Sequence, residues 1–246
     1  MQKLFNWISI AMLSVSAGQL NAGESYGNPD DPVVAEVHGM QVRTKNPDEM
    51  QYVINQKLIQ NYAQQNKIEA TQDDIDLYIA TMDQLTRDDR KKNDARRAEI
   101  QQQLKAGSMP VEQTRQLRSE LDTLERIHQY DLQEESEIEQ DPAAALKEKQ
   151  IVAKAFIEQW MINRALYQQY GGRVIFQRGG PEPLDAMRDY LIEQQQKGAF
   201  RILEKSFEAP FWEYFVTDSK HSFFKQGSKE EKQAFEKPWW LQKSSE

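Results

Sequence analysis

VVAEVHGMQVRTKNPDEMQYVINQKLIQNYAQQN, residues 33–66, changes its hydrophobic period part-way along, and that change decides the fold class. Val33, Val34 and Val37 form a β-branched run that ends at His38-Gly39, and Met40 and Val42 resume beyond it. This is the pattern of a small hairpin or a strand end. From Pro47 the period becomes helical, with Met50, Val53, Ile54, Leu58 and Tyr62 on one face. Pro47 suits a first helical turn, and Asp48 and Glu49 suit its positive dipole end.

Helical patterning continues downstream. Thr71 and Asp74 form a capping-box pair ahead of a stripe made of Ile75, Tyr78, Ile79, Met82 and Leu85. Between about 88 and 130 the composition turns to charge and Gln, and apolar residues thin to Ile100 and Leu104, then Leu117, Leu121, Leu124 and Ile127. The break at Gly107-Ser108-Met109-Pro110 makes this an antiparallel helical hairpin, lightly packed or projecting, ended by the acidic run DLQEESEIEQDP. A helix from Ala143 carries Val152, Phe156, Ile157, Trp160, Met161, Leu166 and Tyr167 over an arc wide enough for a central core helix. It stops at Tyr170-Gly171-Gly172.

Val174, Ile175 and Phe176, between glycines, suit a short buried strand, and Pro181 to Gln196 a further helix with Leu184, Met187, Leu191 and Ile192 inward. FEAPFWEYF, Phe207 to Phe215, packs back on the core, and residues 219–246 read as an extended tail. The fold class expected is mainly α, with a few short strands and a projecting helical hairpin. The divisions are residues 1–22, a flexible polar leader 23–31, a helical segment 32–90, the charged hairpin with its acidic linker 91–142, core-completing helices with a short strand 143–215, and a tail 216–246.

MQKLFNWISIAMLSVSAGQLNA, with Lys3, an apolar core from Leu4 to Val15 and a small residue at Ala22, reads as a secretory signal peptide cut after Ala22. The run is short of the roughly 20 apolar residues a spanning helix needs, so no membrane span is expected after cleavage. Cysteine is absent, which removes disulfides and thiolate metal sites. A Gram-negative periplasm is the compartment that fits. Cleavage leaves 224 of the 246 residues and removes Lys3, taking the net charge from −8 to −9. Such an acidic chain is a poor binder of phosphate backbones, and nucleic acid is set aside as a partner.

The order VVAEVHG, then MQYVINQKLIQNYAQQNKIEATQDDIDLYI, resembles the N-terminal domain of SurA-like and PrsA-like extracytoplasmic chaperones over residues 33–85. Members of that family usually carry parvulin-type prolyl isomerase modules. The residue before the glycine is commonly Asn there and is His38 here. The resemblance implies a helical N-terminal domain completed by a later helix, for which residues 143–170 are the candidate. GRVIFQRGGPEPLDAMRDYLIEQQQKGAF is similar to the opening of a parvulin module. The family's GGxLGxF segment and late buried histidine are missing, so the module is absent or degenerate.

The residues themselves nominate no catalytic set, cofactor or metal. His38, His128 and His221 lie far apart in sequence, and no HExxH, G-x-S-x-G or Walker pattern occurs. Prolyl isomerisation needs no strong nucleophile, so missing catalytic letters do not exclude it. Trp160, Tyr167, Phe176, Phe211, Trp212 and Phe215 are the candidates to line a groove for extended polypeptide, the bland alternative being that they are core. Trp239-Trp240 beside Pro238 suits either a membrane interface or docking on its own domain. Three readings compete: a periplasmic chaperone-like folding factor that holds unfolded or extended segments of secreted and outer-membrane proteins, a divergent prolyl isomerase using residues 172–215, and a scaffold whose hairpin at 93–128 binds one folded partner through Leu117, Leu121 and Leu124.

Overall fold

The computed structural model describes residues 25–107, 109–177 and 179–242. The signal peptide expected at 1–22 lies outside these residues. Of the described residues, 69 % are helical and 10 % are in strands, which makes the fold mainly α. It divides into two compact units, one formed by residues up to Leu58 with Glu193–Tyr214, the other by Ile59–Ile192 with Phe215–Glu246.

The first unit holds a four-stranded sheet of β1 (Ser25–Tyr26), β2 (Val33–Val37), β3 (Met40–Arg43) and β6 (Phe200–Ile202), in the order β1-β3-β2-β6. β2 and β3 are antiparallel and Val37 pairs with Met40, so the turn is the two residues His38-Gly39. Both have positive φ, 49° and 81°, as a hairpin turn of type I′ requires. A register shift between Val33 and Ala35 lets the adjacent Val34 and Ala35 both be buried, which strict alternation would forbid.

β6 extends the sheet on the other side of β2, Phe200 opposite Val37 and Arg201 opposite Glu36. The Arg201 guanidinium meets the Glu36 carboxylate at 2.6 Å. The leader expected to be flexible is ordered from Ser25. β1 pairs parallel with β3, and the Tyr26 hydroxyl donates to Glu49 at 3.2 Å. Gly27 is required there, since a Cβ would fall 1.9 Å from the Arg43 carbonyl oxygen.

The opening residues of α1 (Pro47–Gln65) complete this unit, with Met50, Val53, Ile54 and Leu58 at 0–1 % exposure. Its first turn is capped by the Asn46 side chain, which accepts from Asp48 N at 3.0 Å. The glycine-led segment after 196 reads in sequence only as a helix stop. It becomes β6 because β2 offers it a ladder partner, a long-range fact that three residues cannot advertise.

The second unit is built on α2 (Gln72–Ala106), α3 (Val111–Gln140) and α4 (Pro142–Tyr170). Thr71 and Asp74 close the capping box on α2, and Gly107 at φ 72° ends that helix. α3 returns antiparallel to α2, and α4 continues along the N-terminal half of α2. Leu117 is buried, with Leu121 and Leu124 half-buried on the same stripe.

The acidic run does not end the hairpin. α3 stays helical to Gln140 because Arg90 draws in Asp131, Glu134 and Glu135 at 3.2, 2.7 and 2.7 Å, relieving the repulsion among them. α4 starts at Pro142, with the Asp141 side chain accepting from Ala144 N.

β4 (Ile175–Gln177) and β5 (Gly180–Glu182) make a small antiparallel ribbon that precedes α5 (Leu184–Gln196). Val174 and Ile175 are buried but Phe176 is 67 % exposed, so the strand expected to be buried throughout presents one face to solvent. Pairing of Gly180–Glu182 also delays the helix expected from Pro181 to Leu184. On α5, Leu184, Met187 and Leu191 are buried while Ile192, expected inward, is 37 % exposed.

The tail expected to be extended is folded instead. After α6 (Glu208–Val216) and a return past β4, α7 (Lys229–Ala234) is capped by Ser228 and followed by a 3-10 turn at Trp239–Leu241. Ala234, Phe235 and Trp240 are each 5 % exposed. Aromatic burial outweighs the polar composition that made this segment look unfolded.

Candidate peptide-binding groove

The densest aromatic constellation lies along the seam of α2 and α4. Spacing on α2 puts Ile75, Tyr78, Ile79 and Met82 on the face toward α4, and spacing on α4 presents Ala153, Phe156, Ile157 and Trp160 in return. Into this seam come Trp239, Trp240 and Leu241. Trp240 stands edge-on to Tyr78 at 5.1 Å and to Trp160 at 6.1 Å, while Trp239 stands edge-on to Phe156 at 6.4 Å. Such edge-to-face pairs add specificity to the apolar burial.

Few polar groups orient the segment. The Trp160 indole donates from Nε1 to the Ala234 carbonyl at 3.2 Å, fixing the entry of the last segment. Trp239 Nε1 is buried without a hydrogen-bond partner. Gly180 flanks its ring, and a Cβ there would fall 2.7 Å from Trp239 Cδ1. Burial pushes the Tyr78 hydroxyl up to about 12.

The six residues nominated from sequence do not form one lining. Trp160 is in the seam but only 8 % exposed. Tyr167, also on α4, packs on Phe235 at 4.8 Å in a second cluster with Val174 and Phe224. Phe176 is exposed on β4, edge-on to Phe224 at 5.8 Å. Phe211 and Trp212 belong to the sheet-bearing unit, where Phe211 is fully buried against Phe200 and its carbonyl accepts from Gln51 Nε2. Phe215 is 2 % exposed in the helical unit. Phe211 and Phe215 are therefore core, four residues apart on a short helix whose apolar side is buried. The seam partners Tyr78 and Phe156 read in sequence as core stripe, and the signal that set them apart was the Pro-Trp-Trp cluster far downstream.

A charged network stands beside β4. Arg173 donates to Asp185 at 2.9 Å and to Asp218 at 2.6 Å, and its guanidinium lies over the Phe223 ring at 4.4 Å. Hydrogen bonding from Arg173 holds both carboxyls below their ordinary range. Arg188 adds a second cation on Asp185 at 3.2 Å. Partners 12 and 45 residues apart leave no local motif, and the arrangement is a fully paired clasp rather than an acid-base pair poised for proton transfer.

Among the described residues no group of three or more His, Asp or Glu is placed to hold a metal ion. His38 sits in the β2–β3 turn, His128 Nδ1 lies 3.6 Å from Asp94, and His221 is edge-on to Phe223. No helix among the described residues is long and apolar enough to cross a membrane. No family model matches the chain, and neither a curated protein nor a solved structure matches it. What fold and site define is a class: a mainly α protein whose densest aromatic cluster is a buried seam between two helices.

Proposed function

We propose that this chain is a periplasmic, chaperone-like folding factor that holds unfolded or extended segments of secreted and outer-membrane polypeptides. The observation that carries this reading is the aromatic seam of α2 and α4, against which a short 3-10 turn rich in aromatic side chains packs. A site that accepts rings through edge contacts and few directed hydrogen bonds suits varied apolar segments. The resemblance of residues 33–85 to SurA-like and PrsA-like chaperones points the same way, and the signal peptide read at 1–22 supplies the compartment.

Prolyl isomerisation by residues 172–215 is less well supported, because the polar groups beside β4 are paired with one another. Scaffolding through Leu117, Leu121 and Leu124 is also weakened, since these residues lie on the buried stripe of α3. The test is light scattering from an unfolded, aggregation-prone outer-membrane polypeptide with the purified chain at equal molar ratio. Suppressed scattering is expected. Unchanged scattering, with circular dichroism showing a folded helical protein, would sink the chaperone reading.

A further inference from the structure

We propose that the outer edge of the ribbon beside β4, at Phe223, takes up an extended polypeptide segment in which acidic and apolar side chains alternate. The inference concerns a different surface from the α2–α4 seam and does not depend on the chaperone reading.

β4 is flanked on both sides. β5 pairs with it on one, and on the other the chain at 222–224 runs antiparallel to it with Ile175 opposite Phe223. Phe176 N donates to Ser222 O and Phe224 N donates to Val174 O, both at 2.9 Å. These two bonds bracket the Ile175–Phe223 pair, so the N–H and C=O of Phe223 point away from β4. Neither makes a backbone hydrogen bond among the described residues. The β5 edge is covered, because Asn163 Nδ2 donates to Pro181 O at 3.0 Å and the Trp239 ring lies on Gly180. At the other edge Ser222 and Lys225 are exposed and Phe223 is half-buried, and turns at 217–220 and 225–228 carry the chain away on either side.

The side chains give this edge two different faces. Residues opposite one another on antiparallel strands share a face, so Phe176, Ser222 and Phe224 lie on one. There Phe176 is 67 % exposed and stands edge-on to Phe224 at 5.8 Å. Arg173, Phe223 and Lys225 lie on the other, in keeping with the Arg173 guanidinium over the Phe223 ring at 4.4 Å. A strand added at Phe223 sets its alternate side chains against an aromatic face and a cationic face in turn.

Charge selects the occupant. Residues 159–181 and 219–229, which supply β4 and the strand at its side, contain no Asp or Glu in a chain of net charge −8. Asp185 and Asp218 are both held by Arg173, while Lys225 and Lys229 are exposed. A second copy of the edge would bring two lysine-bearing, acid-free segments together, which repels self-pairing and leaves the edge to an acidic strand.

The test follows two labelled peptides by anisotropy against the purified chain: Glu-Tyr-Glu-Phe-Glu-Tyr-Glu, and the same sequence with Lys in place of Glu. The acidic peptide is expected to bind at about 10–100 µM and the basic one at least about tenfold more weakly. Lys225→Glu with Lys229→Glu should weaken the acidic peptide by at least about tenfold, and Lys225→Arg should leave it unchanged. Methylating alternate backbone amides of the peptide should abolish binding, since strand addition needs those donors. Equal binding of the two peptides, or full binding by the methylated one, overturns the proposal.

If the doubly substituted chain does not fold, amide chemical shifts of the unaltered chain decide. Shifts on adding the acidic peptide that centre on residues 222–225 support the edge, and shifts confined elsewhere refute it. Binding to phosphatidylglycerol vesicles without binding of the peptide also refutes it, in favour of a membrane surface. Peptide binding at this edge without suppression of client scattering would count against the chaperone reading alone. Suppression without peptide binding would count against the edge alone.

Discussion

Trp160 on α4 donates its indole N–H to the carbonyl of Ala234, 74 residues further along, at 3.2 Å. This buried bond ties the end of α7 to the seam where Trp240 inserts. Replacing Trp160 with Phe leaves the Ala234 carbonyl without its donor and removes part of a ring that packs edge-on to Trp240. The expected loss is about 1–3 kcal/mol of unfolding free energy. A urea midpoint unchanged from wild type would show that the bond contributes nothing net.

His38 occupies the first central position of the β2–β3 turn at φ 49°, with Nε2 buried and unpaired. Burial lowers its pKa below the ordinary 6.5. Protonation therefore favours the unfolded chain. The contribution of neutral His38 is complete above about pH 6.5 and is lost as pH falls through the lowered value. His38→Asn should be at least as stable at pH 7.5, because Asn-Gly suits a type I′ turn, and should lose less stability than wild type between pH 7 and 5. Denaturant midpoints across that range check it, and parallel losses in the two proteins would exclude a role for His38.

Tyr78 is buried beside Trp240, and its hydroxyl titrates near 12 where an exposed tyrosine titrates near 10.0. A raised folded-state value means that the stabilisation is fully present below pH 10 and disappears as pH rises through about 12. At most about 2–3 kcal/mol is at stake over that window. Tyr78→Phe should flatten this part of the alkaline profile and change stability at pH 7 by less than about 1 kcal/mol. Unfolding curves at pH 8, 10 and 11.5 would show it.

Asp185 receives hydrogen bonds from the Arg173 side chain and backbone, and Arg188 lies alongside. These hold its pKa below the ordinary 3.8, so its contribution is present above pH 3.8 and is lost as pH falls through the depressed value. Asp185→Asn should cost about 1–3 kcal/mol at pH 7, and the gap to wild type should narrow at pH 2–3. A gap independent of pH would mean that shape, not charge, matters at this position.

The strength of each expectation from sequence followed how local its cause was. Met50, Val53, Ile54, Leu58 and Tyr62 lie one or two turns apart, and all five are buried. The Thr71–Asp74 capping box needs only four residues, and it is formed. The His38-Gly39 turn was legible as a turn for the same reason, although its type emerged only from the φ angles.

The candidate site was legible in composition, as an excess of aromatic residues, but not in arrangement. Trp160 and Tyr167 are seven residues apart on one helix, yet they face different clusters. Phe211 and Phe215 are in the core, which a four-residue spacing allows as readily as a groove.

By itself, then, the sequence determined the start and buried face of α1, the capping box of α2, the break after Ala106, the stop of α4 at Gly171 and the mainly α class, because each depends on interactions within one or two turns of chain. Only the tertiary structure decided that Phe200–Ile202 is a strand, that α3 continues through its acidic run on Arg90, and that Pro238–Leu241 folds onto Tyr78, Phe156 and Trp160. Those outcomes depend on partners tens to more than a hundred residues away. Burial against such partners outweighs local propensity, and no window of sequence contains both sides of the contact.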